Sequence, residues 1–365
     1  MRVLQVIDSL ELGGAEVLLG ELVPRLRQRG VRVSVALLTR FDTRLERALQ
    51  EVPDCEIFGK RRNVRSPLQV AWLARLFGGF DLVHSHLFPA QFWVAAAAAL
   101  GRNRAKLVTT EHAHSNNRRG KRAWYWPDRW MYARYDSIVC NSQATADALT
   151  GWIPAARPKT VIIPNGIAFH RFAHTTADSP SRDYPVAIFV ARLDPQKDHV
   201  TLLKALARVP KLRLQLVGDG SLRTDLKNFA ALTGVRDRVQ FLGWRDDVAA
   251  LLQQADFYVH STHSDGFGIA VVEAMAAGLP VIASAVPGLS WVVGDAGILC
   301  KPGDEVELAA QMSRLANDAR LRQELSAKGK TRARQFDIES TANAHLRLYE
   351  SLVEGERPVN SAVPV

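Results

Sequence analysis

The sequence feature that most restricts the fold is a recurring unit: a short β-branched run, then a turn, then apolar residues at helical spacing. Residues 2–8 (RVLQVID) form such a run, a glycine turn follows at Gly13-Gly14, and 16–29 places its apolar residues three and four apart. The pattern predicts further strands over 31–38, 81–84, 106–110, 137–140 and 160–163, and helices over 45–50, 68–76, 90–100 and 127–134, the last opened by Pro127. Strands that alternate with helices imply a parallel sheet covered on both faces.

The polar stretch 172–185, with two prolines and neither periodicity, reads as a linker. Beyond it the unit restarts, with strands expected over 186–191, 213–217, 239–241, 257–261 and 280–283. Charged helices are expected over 306–317, 321–336 and 340–353. The expected fold is therefore α/β, two doubly wound Rossmann-like domains facing across a cleft. The first covers 1–171, the linker 172–185 and the second 186–339. A C-terminal helix within 340–365 is expected to pack back on the first domain before a frayed tail. In such sheets ligands bind beyond the carboxyl ends of the strands.

Other classes are excluded by composition and length. At 365 residues, 47% hydrophobic and 23% charged, the chain has ordinary globular composition and more length than one core usually organises. Its longest apolar run, 92–100, falls well short of the roughly 20 residues of a membrane span. Acidic residues interrupt the N-terminal segment, so no export signal is expected. Cys55, Cys140 and Cys300 lie far apart, which signals neither disulfides nor a thiolate metal site, and a reducing cytoplasm is the expected compartment. The net charge of +10 is unevenly placed. Residues 1–174 carry 25 Lys and Arg against 14 Asp and Glu, whereas 175–365 carry 22 against 23. A basic first half suits an anionic partner.

The segment from His263 to Pro280 carries the clearest chemistry. Asp265, Gly266, Phe267 and Gly268 precede a helix expected to start near Ile269, and Glu273 lies inside it. Glycines at a strand-to-helix junction let backbone N–H groups approach an anion at the positive end of the helix. That arrangement is a phosphate seat bracketed by two carboxylates suited to hydroxyl partners. The alternative is a plain turn followed by a solvated glutamate. Arg192 and Lys197, just past a strand end, suit a diphosphate. Gly218-Asp-Gly220 and Gly243-Trp244 supply further loops at the same sheet edge.

Taken together, these residues resemble the retaining glycosyltransferases of family GT4, which have the GT-B fold. The resemblance covers nearly the whole chain, through Gly13-Gly14-Ala-Glu16, His84-Ser-His86, Glu111-His112, Asn141-Ser142, Pro164-Asn165-Gly166, Arg192 with Lys197, Gly218-Asp-Gly220, and the segment from Asp265 to Glu273. It implies that Arg192 and Lys197 hold the donor diphosphate together with the N–H groups around Gly268, Ile269 and Ala270. Glu273 would bind the donor ribose, and the loops at Gly218, Gly220 and Trp244 would flank the base. Gly13 and Gly14 would approach phosphate and acceptor, and His112 would lie near the transferred sugar. Gly266, Phe267 and Asn165 complete the expected binding residues, and Asp265 joins His112, Arg192 and Lys197 as catalytic. The family's first glutamate is replaced here by Asp265, whose reach is shorter by about 1.5 Å.

The implied activity is hexosyl transfer from a UDP- or GDP-sugar to a glycan or lipid-linked acceptor in cell-surface polysaccharide or glycolipid synthesis. Two other classes stay open: a nucleotide-sugar epimerase of the same fold, and a non-catalytic sugar-nucleotide sensor. No cofactor and no metal are expected. No Asp-x-Asp occurs, and the His84/His86 and His112/His114 pairs lack further ligands at metal spacing. The basic excess gathers at 60–65, 102–106 and 116–135, the last interleaved with Trp124, Trp126, Trp130 and Tyr132. Cations beside tryptophans suit the surface of an anionic membrane, making the enzyme peripheral on the inner face. Buried aromatics with merely solvated cations are the other reading. No nucleic-acid motif accompanies them.

Overall fold

Every strand read from the sequence belongs to one of two parallel sheets in the computed structural model, which describes residues 1–356 apart from 12, 62, 102, 103, 117 and 174–181. The first sheet holds β1 (Arg2–Ile7), β2 (Arg32–Leu37), β3 (Ile57–Phe58), β4 (Leu82–His86), β5 (Lys106–Glu111), β6 (Ser137–Cys140) and β7 (Thr160–Ile162), in the order β3-β2-β1-β4-β5-β6-β7. The second holds β8 (Val186–Val190), β9 (Arg213–Val217), β10 (Val239–Gly243), β11 (Phe257–His260), β12 (Val281–Ser284) and β13 (Ile298–Cys300), in the order β10-β9-β8-β11-β12-β13. Strand order reverses between β1 and β4 and again between β8 and β11, the switch points where a parallel sheet leaves a crevice. β3 and β13 were not read from the sequence; the two residues of β3 carry no period at all.

The central strands are buried on both faces, hence their nearly continuous apolar character. In β1, Val3, Leu4, Val6 and Ile7 are fully buried, and Val3 pairs with both Val33 and Leu82. The exceptions are informative. Gln5, His84, Ser85, His86, Thr109, Thr110 and Glu111 are polar and equally buried, and all lie on β1, β4 and β5.

Two details correct the sequence reading. The two compact units divide after Gly166, with Ile338 onward joining the first, so the boundary lies before 171 and the second unit is Ile167–Asp337. The cause is apolar: Ile167 and Phe172 are buried in the second core, and the Ile167 N–H donates to the Phe336 carbonyl at 2.9 Å. The middle of the expected linker and the tail from 357 lie outside the described residues. Finally, Pro127 does not open its helix, which spans Arg122–Ala133 with the proline inside. The chain enters through a tighter turn, the Trp124 N–H donating to the Lys121 carbonyl at 2.9 Å, before the proline removes one donor.

The C-terminal helix Ile338–Glu354 buries Ile338, Thr341, Ala342, His345, Tyr349 and Leu352, a stripe at three- and four-residue spacing. Ala342, Leu348, Tyr349 and Leu352 share a core with Ile7, Leu22 and Val108 of the first unit. Glu339 pairs with Arg25 at 2.8 Å and Arg29 at 2.6 Å, on the helix Gly14–Gln28 and its cap. Among the described residues no helix is long and apolar enough to cross a membrane.

Candidate functional site

In the second unit the site forms beyond β8 and β11, on either side of the switch point. The Ala191 carbonyl approaches Gly218 so closely that a Cβ there would sit 2.0 Å from it, and Gly218 has φ of +128°. Only glycine fits. A Cβ on Gly220 would likewise fall 2.4 Å from the Leu193 carbonyl. The Leu193 N–H donates to the Asp219 carbonyl at 3.0 Å and the Gly218 N–H to Gly243 at 2.8 Å. Three loops that are separate in sequence, around Arg192, Gly218 and Gly243, are thus one backbone assembly. Trp244, next to Gly243, is half exposed, and the Arg192 guanidinium is exposed with Asp194 3.3 Å away.

Lys197 and Asp265 form the charged centre. Lys197 Nζ lies 2.5 Å from Asp265 Oδ2, and both side chains are largely buried. His260, which ends β11, reaches the same carboxylate oxygen at 3.2 Å and Lys197 Nζ at 3.4 Å, and its Nδ1 is 3.0 Å from the Tyr258 hydroxyl. Burial pushes the Asp265 carboxyl up, but Lys197 and His260 outweigh it and hold the group well below the usual carboxylate range. Burial, then the charges of Glu273 and Asp265, raise the Tyr258 hydroxyl well above its ordinary value. The other carboxylate oxygen, Asp265 Oδ1, accepts from the Phe267 N–H at 3.1 Å, which shapes the turn into the helix Ile269–Ala276. Gly268 precedes that helix in the left-handed region, φ +83°, with no side-chain cap. The N–H groups of a helix's first turn lack intrahelical acceptors and suit an anion. Glu273 is half-buried within the helix. Phe267 is a core residue, its ring 5.3 Å from Phe336, so its backbone alone faces the turn.

In the first unit the expected residues follow β1 and β5. Gly13 precedes the helix Gly14–Gln28, and a Cβ on it would meet Glu16 Oε2 at 2.4 Å. His112 follows β5, its carbonyl accepting from Asn141 Nδ2 at 3.0 Å. Its Nε2 is 3.3 Å from His86 Nδ1, and its Nδ1 is buried with no hydrogen-bond partner among the described residues. Burial, reinforced by His345, pushes His112 down to about 3. Arg119 straps the following loop, donating to the carbonyls of Ala113 at 2.9 Å and His114 at 2.7 Å and to Glu111 Oε2 at 2.7 Å. Asn165 is buried beyond the edge strand β7, which β6 separates from β5 and its His112, while β4 also stands between β5 and the β1 that leads to Gly13.

The sequence reading missed His260 and Tyr258. They alternate on β11 with a shared face, a period-two signal that a strand assignment alone does not convert into a site. It also missed Gln5 and Tyr349, whose role depends on the C-terminal helix returning to the first unit. His84 and His86 use both ring nitrogens in hydrogen bonds with Tyr349, Thr110, Gln5 and His112. Among the described residues no three His, Cys, Asp or Glu side chains gather as metal ligands.

Comparison with known proteins agrees across both units. Residues 175–332 match the family model described as glycosyl transferases group 1, and residues 12–171 match glycosyltransferase family 4. The lipopolysaccharide core biosynthesis glycosyltransferase LpsE of Rhizobium meliloti is 32% identical over 234 residues, 62% of this chain and 68% of the relative. The D-inositol 3-phosphate glycosyltransferase of Salinispora tropica is 30% identical over 78% of this chain and 66% of its own. Among solved structures, Anabaena Alr3699/HepE in complex with UDP and glucose superimposes with a TM-score of 0.84 at 25% identity, covering 96% of this chain and all of the other. The two sheets are those of the GT-B fold.

Proposed function

The chain belongs to the group 1 glycosyltransferases, and from that premise we propose that it transfers a hexose from a UDP-sugar to a glycan or lipid-linked acceptor of a cell-surface polysaccharide or glycolipid. The observation that carries this reading is the charged mouth of the second sheet: Lys197 paired with Asp265, Arg192 exposed beside Asp194, and the helix N-terminus at Gly268. Such a site suits a diphosphate. A neighbouring structure with UDP and glucose and a relative in lipopolysaccharide core synthesis support the donor and acceptor classes.

In this reading Arg192, Lys197 and the N–H groups of Gly268, Ile269 and Ala270 meet the charge that develops on the leaving diphosphate, without a metal. Glu273 takes the ribose hydroxyls, and the Gly218, Gly220 and Trp244 loops border the base. His112 and the Gly13-Gly14 loop serve the sugar and acceptor. Displacement from the front face, assisted by the leaving phosphate, retains the anomeric configuration.

A screen of UDP-, GDP- and ADP-hexoses, with and without lipid-linked acceptor and with EDTA, tests it by following free nucleotide. Acceptor-dependent release of UDP that survives EDTA is expected. Conversion of donor without acceptor would make the protein an epimerase, and binding without release a sensor. Peripheral attachment to an anionic membrane is proposed for the helix Arg122–Ala133, where Trp126 and Trp130 are exposed with Arg129 5.7 Å and Arg134 4.4 Å from their rings. Tyr132 of the same segment is core, its hydroxyl donating to Glu111. Flotation with anionic liposomes at low salt tests this, and absence of binding removes it.

A further inference from the structure

A continuous line of buried hydrogen bonds runs through the first unit from the C-terminal helix to His112. The Tyr349 hydroxyl accepts from Gln5 Nε2 at 3.1 Å and lies 2.6 Å from His84 Nδ1. Gln5 Oε1 is 2.8 Å from His86 Nε2, and His86 Nδ1 is 3.3 Å from His112 Nε2. At the other end His84 Nε2 is 2.7 Å from Thr110 Oγ1. Gln5, His84, His86, Thr110 and Tyr349 are each at most 2% exposed, so water does not compete for these bonds.

Burial holds His84 and His86 well below the ordinary imidazole range, as it does His112. A neutral imidazole carries one N–H and one lone pair, so a proton fixed on one nitrogen fixes the role of the other. Gln5 gives its N–H to Tyr349, which leaves its carbonyl to accept from His86 Nε2–H. His86 Nδ1 is then a lone pair and accepts from His112 Nε2–H. In the opposite direction Tyr349 donates to His84 Nδ1, and His84 Nε2–H donates to Thr110. One orientation of one amide thus sets three tautomers.

We infer that Gln5 and Tyr349 are positioning residues that hold His112 as the Nε2-protonated neutral ring, its Nδ1 lone pair presented to accept a hydrogen bond from a hydroxyl of the transferred sugar. The unpartnered, buried Nδ1 is the atom that such a hydroxyl would complete. The sugar-facing part rests on the proposed glycosyl transfer. The tautomer does not.

Two-bond 15N–1H correlation spectra of the full chain, labelled at histidine and recorded at neutral pH, test the relay. His112 is assigned by the signal lost in His112→Gln. The expected wild-type spectrum shows His112 protonated at Nε2 and bare at Nδ1. Gln5→Leu removes the amide and should release His86 and His112 to mixed tautomers, with kcat about fivefold lower and the donor KM held, the scale of one net hydrogen bond. Tyr349→Phe keeps the ring and removes one link, so it should move the same signals less, and it serves if Gln5→Leu does not fold. A wild-type His112 protonated at Nδ1, or a tautomer unmoved in both variants, overturns the inference. Tautomers that shift while kcat stays constant uphold the relay and remove His112 from the reaction.

Discussion

Beyond β8 and β11 of the second unit the converging side chains are charged, Lys197 on Asp265 with Arg192 outside, whereas the line of Tyr349, Gln5, His84, His86 and His112 through the first unit is neutral and joined by hydrogen bonds. Net charge runs the other way. The excess of cations belongs to the first 174 residues, and the second half is nearly balanced. In the first unit the cations near the core are matched by carboxylates, Arg118 with Asp128 at 3.0 Å and Arg119 with Glu111 at 2.7 Å. Overall charge is therefore a poor guide to a site. A diphosphate calls for local charge that survives burial, and sugar hydroxyls call for donors and acceptors of fixed sense.

The sharpest way to break this contrast is Lys197→Ala. Leaving buried Asp265 with only His260 and the Phe267 N–H as partners among the described residues should cost about 3 kcal/mol of stability and lower turnover about a hundredfold. Pairing it with Asp265→Asn should restore the melting temperature and leave turnover low. Recovery of both would make the pair purely structural. Gly218→Ala comes next. Its φ and the 2.0 Å approach to the Ala191 carbonyl leave no room for a methyl, so a loss of about 3 kcal/mol in chemical denaturation is expected.

Acid should then separate the units. His84, His86, His112 and His345 are all held neutral in the first unit, His345 down to about 4 by burial. Each binds a proton in the unfolded chain before it does in the folded one, so stability falls as pH drops from about 6.5 toward 4. Burial raises Asp8 to about 7, which opposes this with one group against four. Among the described residues of the second unit His199, at about 3, and His260 act this way, while the Asp265 pair persists until well below the pH where a free carboxylate protonates. Hydrogen exchange at pH 7 and pH 5 should show β4, β5 and the C-terminal helix losing protection before β8 and β11. The smallest effect is Arg29→Ala, which removes a bond to half-exposed Glu339 and should cost about 0.5 kcal/mol in thermal melting.

The sheets were legible because parallel strands buried on both faces must read as β-branched runs, as in β1 and β8. The two-residue β3 was not, and β13 was missed although β7, of equal length, was read. The second unit's candidate site was largely legible too, since Arg192, Lys197, Gly218, Asp265 and Gly268 lie in loops whose glycines announce close backbone approach. Its His260 was hidden inside a strand. The first unit's relay could not be read, because Gln5 looks like a misplaced polar residue until the C-terminal helix brings Tyr349 beside it, across nearly the whole chain.

The division of labour between the units is the central claim, and titration of UDP into two variants by calorimetry, with turnover measured alongside, tests it most directly. Glu273→Ala should weaken UDP binding at least tenfold, the loss of a charge-assisted contact, whereas His112→Ala should bind UDP as the wild type does and turn over slowly. Undiminished binding by Glu273→Ala, or binding lost in His112→Ala alone, would contradict the account.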